Sequence, residues 1–262
     1  MNTIQTSKCS HVRMGALGLL ILASFACVPL TTASTFQKTE TQSVSEQTLT
    51  PKQLAIAPIG ASMAVGDMPR LHDALNRGLD AGLTISESNE ILVQLYAYAG
   101  FPRSLNALSL LMKVLQERAA RGIHDTPGRD PGPVPSGRAL LDLGTDNQTR
   151  LLGAPVSGPL FEFAPTIDQF LKSHLFGDIF ARDNLEWVDR ELATVGALAA
   201  MAGLESQLES HLRISANVGL TVQQLRQLAS ELKAAGEPDG ARRVLEALEK
   251  NYRPVAMAAP AQ

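Results

Sequence analysis

Apolar positions fall in a helical rhythm over most of the chain. Leu54 to Val65 is a nearly unbroken apolar run carrying Gly60, and is read as a helix. Leu71, Leu75 and Leu79 recur one turn apart after Pro69, a residue suited to a first helical turn. Gly82 stands where the chain must take a positive φ to leave that helix. Thr84-x-x-Glu87 is a capping box for the next helix, through Ile91, Leu92 and Leu95 to Gly100. From Pro102, the residues Leu105, Leu108, Met112 and Leu115 share one face of a further helix. In the second half, Ile167, Phe170, Leu171, Phe176 and Ile179 predict one helix. Asp183-x-x-Glu186 is read as the cap of another, which continues to Ala202 and is broken by Gly203. Glu205 to Asn217 predicts a third, closed by Gly219. Thr221-x-x-Gln224 is again a capping box, its helix ends at Gly236, and Pro238-Asp239 starts the last one. No stretch shows the period-two alternation of a half-buried strand, so the expected fold class is all-α.

These signals repeat. Gly82-Leu83-Thr84 returns as Gly219-Leu220-Thr221, 137 residues on (219 − 82). Ala99-Gly100-x-Pro102 returns as Ala235-Gly236-x-Pro238, an offset of 136 (236 − 100). Two tandem helical modules are expected, residues 51–122 and 161–250, joined by a Pro/Gly-rich linker, 123–160. Asp125 to Pro133 in that linker holds too many Pro and Gly residues for regular structure, with a short helical piece expected at Arg138 to Leu143. A connection of this length usually covers a surface or a site. Residues 34–50, rich in Thr, Ser, Gln and Glu, read as a disordered arm, and 251–262 as a small-residue tail.

Composition narrows the picture. Of 262 residues 45% are apolar but only 5% aromatic, so the core must be mostly Leu, Ala, Val and Ile. A net charge of −3 without basic runs gives no reason to expect a nucleic-acid partner. Residues 1–33 have the pattern of a signal peptide: Lys8 and Arg13, the apolar Met14 to Leu30, then the small residues Thr31-Thr32-Ala33. Export to the periplasm is expected; an uncleaved segment would instead anchor the chain in a membrane. Cys27 raises the question of lipidation, but Ser24-Phe25-Ala26 fits a lipobox poorly. Both cysteines, Cys9 and Cys27, lie in this leader, so the mature chain is expected to have no thiol chemistry. Nothing in the sequence calls for a metal or a cofactor: zinc-ligand spacings, a phosphate-binding glycine loop and Gly-x-Ser-x-Gly are all missing. Asn147-Gln148-Thr149 is a formal glycosylation sequon.

Candidate chemistry comes from polar residues placed where apolar ones belong. Val188, Glu191, Val195 and Leu198 fall on one helical face, with the carboxylate in mid-stripe. On the following helix Leu204, Leu208, His211, Leu212 and Ser215 form the apolar stripe, with the imidazole in its middle. A hairpin through Gly203 would bring the two together as a general acid–base pair or as a structural pair that fixes helix register. In the first module Glu87, Glu90, Gln94 and Tyr98 form a polar stripe, read either as a solvated face or as a cavity lining. The copies are degenerate in opposite halves: Ala74 aligns with His211, the counterpart of Glu191 falls near Gln53-Leu54, and Lys233 to Ala235 align with Tyr96 to Tyr98. The front half of module two and the back half of module one together make one complete polar set.

The run Gly82-Leu83-Thr84…Glu87…Glu90…Gln94…Tyr98-Ala99-Gly100-Phe101-Pro102, with Arg190-Glu191-Leu192…His211…Asn217-Val218-Gly219-Leu220-Thr221, resembles the carboxymuconolactone decarboxylase family, with its alkyl-hydroperoxidase-D-like helical fold. The resemblance implies cofactor-free sites, trimeric or hexameric assembly and a small-molecule substrate. It implies either decarboxylation of a carboxylated lactone or thiol-dependent reduction of hydroperoxides. The peroxidatic Cys-x-x-Cys would fall at Leu204 and Gln207, so acid–base chemistry is the expectation, with a peroxidase-like activity or a non-catalytic binding protein as alternatives. His211 and Glu191 would be catalytic. Glu87, Glu90, Gln94, Tyr98, Arg190 and Arg213 would hold the substrate.

Overall fold

The structure, a computed structural model, describes residues 48–252. The expected leader (1–33), arm residues 34–47 and tail residues 253–262 lie outside the described residues. Among the described residues there are helices and no strand. The first five helices are α1 (Pro51–Val65), α2 (Met68–Asp80), α3 (Ile85–Gln94), α4 (Tyr96–Ala99) and α5 (Phe101–Ala120). An inserted set follows: α6 (Arg138–Leu152), α7 (Pro159–Phe163), α8 (Pro165–Phe170) and a π-helical segment, Leu171–Ile179. The chain then forms α9 (Trp187–Ala200), α10 (Glu205–Asn217), α11 (Val222–Ala234) and α12 (Pro238–Asn251).

The repeat is a repeat of backbone geometry. Gly82 and Gly219 take φ of 97° and 107°, the left-handed region open to glycine. Around them the same two bonds close each helix. Leu83 N–H donates to Gly78 O and Leu220 N–H to Ser215 O, both at 2.9 Å; Gly82 N–H donates to Leu79 O and Gly219 N–H to Ala216 O, both at 3.1 Å. Each is a Schellman termination. Thr84 and Thr221 then cap α3 and α11 with the expected boxes. A third box was not anticipated: Thr50 and Gln53 cap α1, which starts at Pro51 because the cap lies upstream of the apolar run.

The corresponding helices α1 and α9 pack most extensively, and glycine permits it. A Cβ on Gly60 would run into the carbonyl oxygen of Ala193, and one on Gly196 into that of Ala57. Gly60/Gly196 and Ala57/Ala193 are both 136 residues apart (196 − 60, 193 − 57), so the crossing has two-fold character. It aligns Glu191 with Ala55, one residue from the position the Gly-Leu-Thr offset gives, because the stretch from Gly196 to Gly219 (219 − 196 = 23) is one residue longer than that from Gly60 to Gly82 (82 − 60 = 22).

The insertion departs from expectation. The piece at Arg138 continues to Leu152, and Asn147 of the sequon is buried in it, donating to Phe176 O at 2.9 Å. The single helix expected from Ile167 to Ile179 is divided. Pro165 opens a short helix whose Ile167 and Phe170 are exposed, then the turns widen and Leu175, Phe176 and Ile179 are buried. Gly144 allows α6 to lie on this widened segment, since a Cβ there would strike Lys172 O. Asp183-x-x-Glu186 is not a cap. Glu186 makes no side-chain cap bond, and Asp183 accepts from Gly132 N–H at 2.7 Å instead.

The linker from Ile123 to Ser136 is irregular but tied down. Thr126 and Pro127 carbonyls accept from the N–H groups of Ile85 and Ser86, satisfying donors that a helix start leaves open. Asp125 pairs with Arg118 at 2.8 Å.

Candidate functional site

Helix α9 lies between α1 and α10, so polar side chains in its middle are buried. Glu191 is 0% exposed and accepts from His211 Nδ1–H at 2.8 Å through Oε2. An ionised carboxylate can only accept, which assigns the proton to Nδ1. Nε2 is then the atom that can take or give a proton. The imidazole keeps 11% side-chain exposure against 0% for the carboxylate, so any reactant reaches the pair through the histidine.

Tyr98, from α4 of the other module, sets its ring edge-on to His211 with centroids 5.4 Å apart. Burial, followed by the charge of Glu191, pushes its phenol well above the usual range, with Thr194 and Arg190 pulling the other way. The hydroxyl sits near Thr194 but makes no well-formed hydrogen bond to it. Tyr98 Oη, Glu191 Oε1 and Ser215 Oγ are buried without a hydrogen-bond partner among the described residues. Each such atom costs about 1–3 kcal/mol, and Ser215 is one turn along α10 from His211.

A second network adjoins the first. Arg190, 0% exposed, donates to Glu90 Oε1 and Gln94 Oε1, each at 2.9 Å, and to Arg182 O at 2.7 Å. Arg182 pairs with Glu90 at 2.9 Å, and Asn184 donates to Glu90 Oε2 at 3.2 Å. Gln94 donates to Thr194 Oγ1 at 2.8 Å, one helical turn from Arg190. Burial lowers the Arg190 pKa and the Glu90 charge opposes the fall. This network holds α3 against α9 and backs the wall behind Glu191.

Of the eight residues the sequence singled out, His211, Glu191 and Tyr98 converge. Glu90, Gln94 and Arg190 form the adjoining network; Arg190 is fully buried, and of its guanidinium nitrogens Nε is without a partner among the described residues. Glu87 joins neither group: it caps Thr84 and pairs with Lys52 at 2.8 Å. Burial works to raise its pKa, but Lys52 and the Thr84 N–H hold it below the usual value. Arg213 is exposed, bonded to Ser210 Oγ. The stripe from Glu87 to Tyr98 does not act as one face because the helix is interrupted at Leu95. Thr194 and Ser215 were not singled out, though each stands one turn from a candidate residue. Arg182 and Asn184 lie before α9 with no periodicity to reveal them.

Among the described residues, fold and site define an all-helical tandem-repeat protein with a buried carboxylate–imidazole pair in its second module, met by Tyr98 of the first. Residues 31–113 and 165–250 match the carboxymuconolactone decarboxylase family, and the chain belongs to that family. No curated protein matches it closely enough to carry the reading further.

Proposed function

We propose that the protein is a cofactor-free acid–base enzyme acting on a small carboxylated or lactone-like molecule. The observation that carries this is the 2.8 Å contact between Glu191 and His211 Nδ1, which leaves Nε2 unbonded among the described residues. A carboxylate on one ring nitrogen fixes the tautomer and stabilises the imidazolium. In the decarboxylase version, the bond from carbon to the departing carboxylate breaks and its electron pair enters an enolate or dienolate. CO₂ leaves as that bond breaks, protonated His211 gives a proton from Nε2 to the carbon and regains one from water, and Glu191 steadies the ring throughout. Tyr98 presses on the imidazole and lines the same place. Arg190 acts through Glu90 and Gln94 as support, so a substrate carboxylate must find its cation elsewhere. Periplasmic location and trimeric or hexameric assembly are part of this proposal; the exposed Phe101, Leu105 and Met112 of α5 suit burial between copies.

The test is His211→Asn, which keeps an N–H near the Nδ1 position and removes Nε2. Against muconolactones and small β-oxo acids, the variant should melt as a folded protein and lose turnover by about 10²–10⁴-fold. Turnover equal to wild type would sink the mechanism. Peroxide consumption that requires an added thiol would favour the hydroperoxidase alternative, and ligand binding without turnover in either protein would favour a binding protein.

A further inference from the structure

A cleft of about 800 Å³ lies beside the acid–base pair rather than on it. Its volume suits a small-molecule ligand. Trp187 and Val188 in its wall precede Glu191 by one turn of α9, and Val218 follows the end of α10, which carries His211. The opposite wall comes from the insertion. There Arg150, in the last turn of α6, lays its guanidinium over the Trp187 indole at 4.8 Å from the ring centroid. Trp187 is held in place by donating Nε1–H to Phe180 O at 2.9 Å.

The charges around the cleft differ in how far they are already committed. Arg129 pairs with Asp183 at 2.9 Å and Arg182 with Glu90 at 2.9 Å. Glu186, at the start of α9, is exposed. Arg150 alone among the arginines of this cleft has no carboxylate partner among the described residues. A guanidinium stacked on an aromatic face keeps its in-plane N–H fork open, and that fork matches a carboxylate with two parallel bonds. Trp187, Phe180, Val188 and Val218 supply apolar walls for the rest of a flat molecule.

We infer that this cleft is a binding site for a small planar carboxylate, held by the Arg150 fork where it rests on Trp187. The site stands whether or not the acid–base pair is catalytic.

Trp187 is the sole tryptophan of the chain, so its emission reports on this cleft. Fumarate is the probe, fumaramide the uncharged control, and midpoints rather than amplitudes are compared. Wild type should give a saturable change with fumarate and none with fumaramide. Arg150→Ala and Arg150→Gln, at an exposed position, should fold normally and weaken fumarate binding about tenfold or more, the scale of a charge-assisted bond. His211→Asn should leave the midpoint unchanged, because His211 does not line the cleft. A midpoint in the Arg150 variants equal to wild type, a response to fumaramide equal to that for fumarate, or no saturable response in wild type would each overturn the proposal. Unimpaired turnover in His211→Asn alongside lost binding in Arg150→Ala would reject the acid–base mechanism and leave the cleft standing.

Discussion

The hairpins α1–α2 and α9–α10 occupy equivalent places in the two modules and differ in what they bury. Both close with the same Schellman bonds, both are followed by a threonine cap, and each contributes one glycine to the crossing of α1 on α9. Where the second holds Glu191 and His211, the first holds Ala55 and Ala74. The difference teaches that the backbone program and the chemistry are separable. Caps and glycines must be kept in both copies, because each helix end and the close crossing need them. A buried carboxylate–imidazole couple is costly to desolvate and is kept in one copy only, beside Tyr98 of the other module.

Chemistry that makes the second hairpin resemble the first should give the largest effect. Glu191→Ala strands the imidazole in an apolar wall and should cost about 3 kcal/mol in urea unfolding, the scale of breaking a buried pair. Adding His211→Ala should recover part of that loss; strict additivity in the double-mutant cycle would mean that the pair is not coupled. Next, Gly60→Ala and Gly196→Ala should each destabilise by about 3 kcal/mol, since backbone rather than a movable side chain blocks the new methyl. Similar losses are expected from the two, and a clear inequality would break the two-fold reading of the crossing. Smaller again, Thr84→Ala and Thr221→Ala should each cost about 1 kcal/mol. Thr84 should be the milder, because linker carbonyls already serve the first donors of α3.

The smallest effect concerns Asp189, whose counterpart in the first module, Gln53 (189 − 136), donates to it at 3.3 Å. Burial raises the Asp189 pKa above its usual value, with Lys52 and Gln53 opposing. The folded state therefore binds this proton more tightly than the unfolded chain does. The associated stability is present below the ordinary carboxylate range and is lost as pH rises through the higher folded value. Asp189→Asn keeps an acceptor for Gln53 and removes the titration. Its stability should gain on wild type as pH rises from acid toward neutral, then hold level. Urea midpoints across that range check it, and a gap that narrows with rising pH would contradict the assignment.

Much of this was legible from local signals. Gly82, Gly219, Thr84 and Thr221 act through bonds to residues a few positions away, so their roles could be read without knowing the fold. His211 and Glu191 stood out because a polar residue in an apolar stripe requires a partner, and a hairpin through Gly203 allows only a nearby one. The π-helical segment was not legible, because the apolar residues from Ile167 to Ile179 fit an ordinary helical period until Gly144 and Pro165 are seen in place. Nor were Arg182 and Asn184, irregular residues whose side chains meet Glu90 across the module boundary.

By itself the sequence determined most helices of the two modules, the glycine and threonine signals at their shared ends, the duplication and which copy carries Glu191 and His211, since each depends on contacts within a turn or a hairpin. Only the tertiary structure decided that Tyr98 joins that pair while Glu90, Gln94 and Arg190 turn to one another, and that Arg150 is left with a free fork over Trp187. The first of those outcomes depends on which buried groups reach each other across roughly 100 residues of chain, and a polar atom removed from water takes whatever partner the packing brings within hydrogen-bonding distance.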